Sequence, residues 1–188
     1  MARDFLAPMN RVEDNQAELM AALQSKPGAA VEVLTIEMVD RMNERDFEAL
    51  VGWLYGAGGD SYVLLPLTRD AGVDVIARQG MSYKLVQVKH SIRGMDVPDS
   101  AIDQVLAGAN FYQQHIQGSF QMIVFSNARG CAALRDKAMR IGGVHLVLRN
   151  ELNDLLMRHR PTLSDVVVAG AKRTATCKEG IRLITSLM

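Results

Sequence analysis

The sequence predicts an α/β sandwich in which a mixed central sheet is flanked by helices. Three features of the chain support this class: a helical apolar stripe comes first, three short strand-like segments follow, and helices then alternate with strands. The length of 188 residues, with 48% hydrophobic and 22% charged residues, allows one core of ordinary domain size. Strands joined through helices should run parallel, whereas three consecutive strands should form an antiparallel meander.

The predicted elements divide the chain into three parts. Residues 1–30 are expected to form an N-terminal helical extension, with a predicted helix over 10–24 that stops before Lys26-Pro27-Gly28. Residues 31–160 form the main domain. Its predicted elements are a helical stretch over 34–55 broken near Asn43, strands over 61–67, 73–78 and 83–89, a helix over 98–115, a strand over 120–125, a helix over 128–140, a strand over 144–148 and a helix over 150–158. Residues 161–188 form a C-terminal extension of uncertain structure, where the run Val166-Val167-Val168-Ala169 could be an extra strand or an oligomer contact.

Composition narrows the classes of function. The formal net charge is +0, but residues 1–128 carry 10 Lys and Arg against 16 Asp and Glu, whereas residues 129–188 carry 11 against 5. The basic C-terminal part could face phosphates, or its charges could be scattered and solvated. The two cysteines, Cys131 and Cys177, have no neighbours spaced for a zinc site and suit a reducing cytoplasm. No apolar run approaches the ~20 residues of a membrane span, so we expect a cytoplasmic protein without a membrane partner.

The second and third strands should form a hairpin whose turn is Gly80-Met81. Glycine at the first central position suits a two-residue type II′ turn. A register symmetric about that turn makes Asp74 and Gln87 direct cross-strand neighbours, and the period of two places Lys89 on the same face as Gln87. The opposite, apolar face should carry Val73, Val75, Val86 and Val88.

A carboxylate, an amide and an ammonium at one end of an apolar sheet indicate a site, because buried polar groups are costly without partners. Mg²⁺ prefers oxygen ligands, so Asp74, the Gln87 side-chain oxygen and the Val88 carbonyl could hold one beside a scissile phosphate. Lys89 would orient or activate the attacking water and offset developing negative charge. Glu48, on the preceding helix, could approach as a further ligand or could be a solvated helix residue.

These residues also carry a family resemblance. The segments Asp46-Phe47-Glu48-Ala49-Leu50-Val51, Gly72-Val73-Asp74-Val75-Ile76 and Val86-Gln87-Val88-Lys89, with Gln104 and Gly108 further on, resemble the Mrr-like group of the PD-(D/E)xK nuclease superfamily. The resemblance spans about Met38 to Leu156. It implies a restriction-endonuclease-like fold, DNA cleavage with Mg²⁺, for which Mn²⁺ can substitute, and a catalytic site of Glu48, Asp74, Gln87 and Lys89. Gln104 is a weaker addition, because a plain helix-surface role suits it nearly as well.

Two departures from the wider superfamily bear on activity. Val73 stands where the superfamily has proline, and Gln87 stands at its second acidic position, as in the Mrr-like group. The neutral amide lowers the negative charge of the site and could weaken metal binding. The sequence therefore predicts a divalent-metal-dependent DNA endonuclease acting in restriction or defence against foreign DNA. The alternatives are a catalytically silent nuclease fold that binds nucleic acid or a partner protein, and a repair or junction nuclease.

The assembly should be a homodimer. Cleaving both strands of a duplex takes two cuts, and a chain with one site reaches both most simply as a two-fold dimer. The first 30 or so residues are too short for a separate DNA-reading domain. We therefore expect specificity to come from loops, from dimerisation or from a partner protein.

Overall fold

The computed structural model describes residues 32–68, 70–92 and 97–186, so the predicted helix over 10–24 lies outside the described residues. The described elements are α1 (Ile36–Val39), α2 (Glu44–Ala57), β1 (Ser61–Leu64), β2 (Val75–Gln79), β3 (Ser82–Lys89), α3 (Ser100–Tyr112), β4 (Ser119–Ser126), α4 (Ala132–Ile141), β5 (Val144–Val147), α5 (Arg149–His159), α6 (Leu163–Gly170) and α7 (Cys177–Ser186). The break near Asn43 is confirmed, since Asn43 caps α2 through a side-chain hydrogen bond from the Asp46 amide. None of the helices in these ranges is long and apolar enough to span a membrane.

The five strands form one mixed sheet in the order β1-β2-β3-β4-β5. Neighbours from β1 to β3 pair antiparallel, whereas β3, β4 and β5 run parallel. Helices α3 and α4 make the two parallel crossovers. The predicted α/β sandwich is therefore confirmed, and the carboxyl ends of β3, β4 and β5 meet at one edge of the sheet.

The β2–β3 hairpin has the register that the turn predicts. Gly80 has a φ of 60°, as a type II′ turn requires, and the pairs run symmetrically from Gln79 opposite Ser82 to Val75 opposite Val86. The symmetry ends at Asp74, which precedes β2. The Asp74 amide donates to the Val86 carbonyl at 2.9 Å, one residue short of the position facing Asp74.

This irregularity at Asp74 changes the face on which Val73 lies. Val75, Val86 and Val88 pack together on the α2 side of the sheet, as expected. Val73 instead packs with Ile76 on the α3 side, so its predicted place among the other three valines is wrong. Side chains alternate between the two faces of a sheet only where the residues pair regularly, so the alternation is lost where the ladder is interrupted.

Each face of the sheet is covered by its own apolar cluster. The α2 face buries Phe47 and Leu50 of that helix, and the α3 face buries Ile102 and Val105. Because both faces are covered, a polar side chain on the sheet is sheltered from water unless it lies at an edge. Asp74 and Gln87 are sheltered in this way, since both side chains are buried.

The C-terminal extension folds as two helices, not as an extra strand. A capping box starts α6, in which the Thr162 amide donates to Asp165 Oδ2 at 2.8 Å and the Asp165 amide donates to Thr162 Oγ1 at 3.2 Å. α6 packs on α2, and α7 packs on β1. Residues from Val33 onward form one compact unit that includes both helices. The β-branched run over 166–168 is helical because Val166 and Ala169 bury one helix face against the rest of this unit.

Candidate active site

Asp74 and Gln87 meet at the open end of the hairpin. Gln87 Nε2 donates to Asp74 Oδ2 at 2.6 Å, and the Val88 amide donates to the same oxygen at 2.6 Å. Gln87 Nε2 also lies 3.3 Å from the Val88 carbonyl oxygen. The two acceptors fix the amide with its nitrogen towards the carboxylate. Within the part of the chain that the structure describes, Asp74 Oδ1 and Gln87 Oε1 accept no hydrogen bond.

Glu48 is the second buried carboxylate, and it is held by an ion pair. Glu48 is only 5% exposed on α2. Arg173, between α6 and α7, donates through Nη1 to Glu48 Oε2 at 2.6 Å and to the Leu65 carbonyl at 2.8 Å. Arg173 Nη2 lies 3.3 Å from the Arg45 carbonyl, and its Nε is buried without a hydrogen-bond partner among the described residues. The C-terminal extension therefore supplies a buried guanidinium group, that of Arg173, which pairs with the predicted site residue Glu48.

Burial shapes the electrostatics of both carboxyl groups. It raises the pKa of Asp74 to about 8, the charge of Glu48 adds to that rise, and the hydrogen bond from the Val88 amide opposes it. Burial also raises the pKa of Glu48, against the lowering effect of Arg173. The raised pKa values mean that the ionised forms of both carboxyl groups are disfavoured. A cation bound beside them would stabilise those ionised forms.

Lys89 ends β3 beside this pair. Strand alternation places it on the same face as Gln87, and its charge is near enough to lower the pKa of Asp74. Its carbonyl accepts a hydrogen bond from Ser126 Oγ at 2.6 Å, which ties the end of β3 to the end of β4. Among the described residues no carboxylate forms an ion pair with its ammonium. That ammonium can therefore act on a ligand at the edge of the sheet.

Among the described residues, the Gln104 side chain makes no hydrogen bond with Asp74, Gln87 or Lys89. The side chain is exposed on α3, and the Gln104 backbone instead packs against Gly72, two residues before Asp74. One helical turn later, Gly108 approaches Val73 in the same way. α3 therefore supports the segment that carries Asp74 through close backbone contacts.

Gly72→Ala should destabilise the fold by about 2–4 kcal/mol, as the sum of left-handed backbone strain and overpacking. Gly72 has a φ of +84°, and a Cβ there would collide with the Gln104 carbonyl. Gly59→Ala is the matched control, because Gly59 has a φ of +93° but open space where a Cβ would lie, so this variant should lose only about 1–2 kcal/mol from backbone strain. Urea unfolding measures both variants. Equal losses would mean that the contact with α3 does not support the site.

Sequence reasoning missed two charged residues near the site. Asp70 Oδ1 accepts a hydrogen bond from the Gly72 amide at 2.8 Å, and the charge of Asp70 adds to the raised pKa of Asp74. The segment containing Asp70 was predicted only as a connection between strands. Arg173 lay in a basic stretch that nothing in the sequence pattern linked to Glu48.

The donor atoms fit a hard divalent cation. Asp74 Oδ1 and Gln87 Oε1 are the oxygens that the Asp74–Gln87 hydrogen bond leaves for a cation, and the Val88 carbonyl oxygen lies 3.3 Å from the Gln87 amide nitrogen. The described residues contain no group of three or more His, Cys, Asp or Glu side chains placed to hold a metal. A cation here would therefore depend on amide and carbonyl oxygens as well as on Asp74. Glu48 is a less available ligand, because one of its oxygens is paired with Arg173.

Two solved structures share this fold. The MspJI restriction endonuclease in complex with a 27-mer oligonucleotide is 17% identical, with a TM-score of 0.53, over 79% of this chain and 37% of that chain. A protein of unknown function, AF1548, is 14% identical, with a TM-score of 0.51, over 77% of this chain and 96% of that chain. The chain thus spans little more than a third of the MspJI enzyme. At these identities the likeness shows the fold alone.

A family model matches this chain, whereas no curated protein does. The Mrr catalytic-domain model, described as restriction endonuclease, matches residues 39–156. This span is well over half of the chain and contains Glu48, Asp74, Gln87 and Lys89, whereas Arg173 lies outside it. The chain therefore belongs to the restriction endonuclease family that the Mrr catalytic domain defines.

Proposed function

We propose that this protein is a divalent-metal-dependent DNA endonuclease whose catalytic residues are Asp74, Gln87, Lys89 and Glu48. The observation that carries the proposal is the hydrogen-bonded pair of Asp74 and Gln87, which lies beside Lys89 at the open end of a hairpin. Membership of a restriction endonuclease family supports the same reading. The substrate is a phosphodiester bond of DNA.

The cofactor that we propose is Mg²⁺, with Mn²⁺ as a substitute. Asp74, Gln87 and the Val88 carbonyl would hold it, and Glu48 would complete the set if its pairing with Arg173 allowed. A bound divalent cation would supply Lewis-acid stabilisation of the phosphate oxygens. The raised pKa of Asp74 supports this assignment, because a buried carboxylate of that kind gains from a cation.

The protein's own groups have separate tasks in this proposal. Asp74 provides the anionic seat, and the Val88 amide fixes its carboxylate through Oδ2. Gln87 holds the same oxygen in place without adding a second negative charge. Lys89 orients the attacking water and offsets the charge that develops on the phosphate.

The biological setting that we propose is restriction or defence against foreign DNA in the cytoplasm, with specificity supplied by loops, by dimerisation or by a partner protein. Family membership supports the restriction role. Cys131 and Cys177 are not joined in a disulfide, which suits a reducing compartment. A repair or junction nuclease on the same fold would differ in substrate, and comparison of linear, nicked and branched DNA would separate the two.

The second candidate is a catalytically silent module that binds nucleic acid or a partner protein. Two observations favour it. Gln87 replaces a carboxylate at the site, and Arg173 already neutralises Glu48. Both reduce the negative charge available to a cation.

A plasmid-nicking assay decides between the two candidates. The wild-type protein should convert supercoiled plasmid to nicked and linear forms with Mg²⁺ or Mn²⁺ and should leave it intact in EDTA. Gel-shift measurements on the same samples report binding. Binding without cleavage under either metal would reject the nuclease and leave the silent module.

We predict a homodimer, because two strand cuts need two sites and the described part of this chain carries one candidate site. The surfaces that we propose for it are the N-terminal segment and the tail from Ser164 onward, where Val168 is 56% exposed. Sedimentation velocity at micromolar concentration should show a species of twice the chain mass. Monomer alone, both with and without duplex DNA, would contradict this assembly.

A further inference from the structure

A cavity of about 530 Å³ lies outside the catalytic cluster and is lined by three arginines. Arg129 precedes α4, Arg135 lies in its first turn, and Arg149 begins α5. Glu151 is the acidic residue in the lining. Residues 129–188 contain 11 basic residues, and three of these line this one cavity.

The cavity lies on the same edge of the sheet as the candidate active site. Lys89, Ser126 and Val147 are the last residues of β3, β4 and β5, and these strands run parallel. The segment after β4 is fixed to the segment after β3, because the Asn127 side chain bonds both the amide and the carbonyl of Ser91 at 2.7 Å. A nucleic-acid strand that reaches Lys89 can therefore continue along this edge to the cavity.

The arginines of the cavity differ in how much of their charge is free. Arg149 donates to both carboxylate oxygens of Asp40, at 2.7 and 2.9 Å, so Asp40 offsets its charge and fixes its orientation. Arg135 donates to the Arg129 carbonyl at 2.9 Å, and among the described residues its charge has no carboxylate partner. Glu151 adds negative charge to the lining, and its Oε1 lies 3.4 Å from His145 Nε2. Arg129 and Arg135 are therefore the main source of positive potential.

Two helix starts add to that potential. α4 and α5 both begin at the cavity, and neither N-cap residue, Cys131 or Leu148, supplies a side-chain cap hydrogen bond. First-turn amides and the positive end of the helix dipole attract anions. Guanidinium groups pair with phosphate oxygens through charge-assisted hydrogen bonds. A cavity that combines these features has the chemistry of a phosphate site.

We propose that this cavity binds a backbone phosphate of the DNA, separate from the phosphate that is cleaved. The inference rests on the proposed function and deepens it, since it names a contact that positions the duplex for the site at Asp74 and Lys89. Arg129 and Arg135 make the contact, Arg149 shapes the wall, and Glu151 limits the affinity.

Fluorescence anisotropy with a labelled DNA duplex in EDTA tests this site. Arg129→Gln and Arg135→Gln should each weaken binding about tenfold, the size of one lost charge-assisted hydrogen bond. Each should also reduce the slope of log affinity against log salt by about one. Arg140→Gln is the matched control. Arg140 lies in the last turn of α4 and is not part of the cavity lining, so this variant removes one positive charge at a distance from the cavity. Glu151→Gln should tighten binding.

The outcomes separate this proposal from the proposed function. Because EDTA removes the metal, the binding result does not depend on whether the protein cleaves DNA. Equal behaviour of the Arg129, Arg135 and Arg140 variants would overturn the cavity as a DNA site. A loss of inorganic phosphate binding, measured by NMR, with unchanged affinity for the duplex would also overturn it, since the cavity would then take a free anion.

Discussion

Asp74→Ala is expected to abolish DNA cleavage and weaken metal binding together, whereas Lys89→Ala is expected to slow cleavage by about two orders of magnitude and leave metal binding largely intact. The difference follows from their tasks. Asp74 is a ligand of the cation, whereas Lys89 orients the attacking water and offsets the negative charge that develops on the phosphate. DNA binding should survive both changes.

A plasmid-nicking time course beside a Mn²⁺ titration measures both effects. Asp74→Asn is the control for folding, because it keeps the shape of the side chain and its acceptor for the Val88 amide while removing the charge. It should match Asp74→Ala in the metal titration. If Lys89→Ala lost metal binding to the same extent as Asp74→Ala, the division of tasks between the two residues would be wrong.

Arg173→Met is expected to destabilise the fold by about 3–5 kcal/mol, because it leaves Glu48 buried without its partner. The side chains of Arg173 and Glu48 are only 8% and 7% exposed, so water screens this ion pair weakly. Denaturation by urea measures the loss.

The double variant Glu48→Gln with Arg173→Met is the control for this prediction. It removes both charges, so it should recover most of the stability that Arg173→Met loses. A loss below about 1 kcal/mol for Arg173→Met alone, as expected for an exposed pair, would show that the pair does not hold the C-terminal extension on the domain.

The parts of the site that local sequence determines were predictable. Gly80 sets the hairpin register, and that register brings Asp74 and Gln87 together across 13 residues of chain. Both lie on segments joined by a two-residue turn, so turn chemistry predicts that the two side chains meet, although Asp74 itself lies just outside the regular ladder. The place of Val73 was not predictable in this way, because the ladder is interrupted at the neighbouring residue.

The contact between Arg173 and Glu48 could not be predicted, because 125 residues separate its partners in sequence. It depends on how α6 and α7 pack on the rest of the domain. The start of α6 could be predicted from the sequence, since Thr162 and Asp165 have the spacing of a capping box. The β-branched run over 166–168 favoured a strand, and tertiary burial overrode that preference.

The most direct test of the central claim is a crystal structure of the protein soaked with Mn²⁺, with anomalous scattering used to locate the ion. One anomalous peak is expected between Asp74 and Gln87, within about 2.0–2.4 Å of an oxygen of each side chain, the distance typical of hard divalent cations. The same soak of Asp74→Asn should lose that peak. Metal-dependent cleavage together with a peak elsewhere on the protein, or with no peak between Asp74 and Gln87, would contradict the proposed metal site.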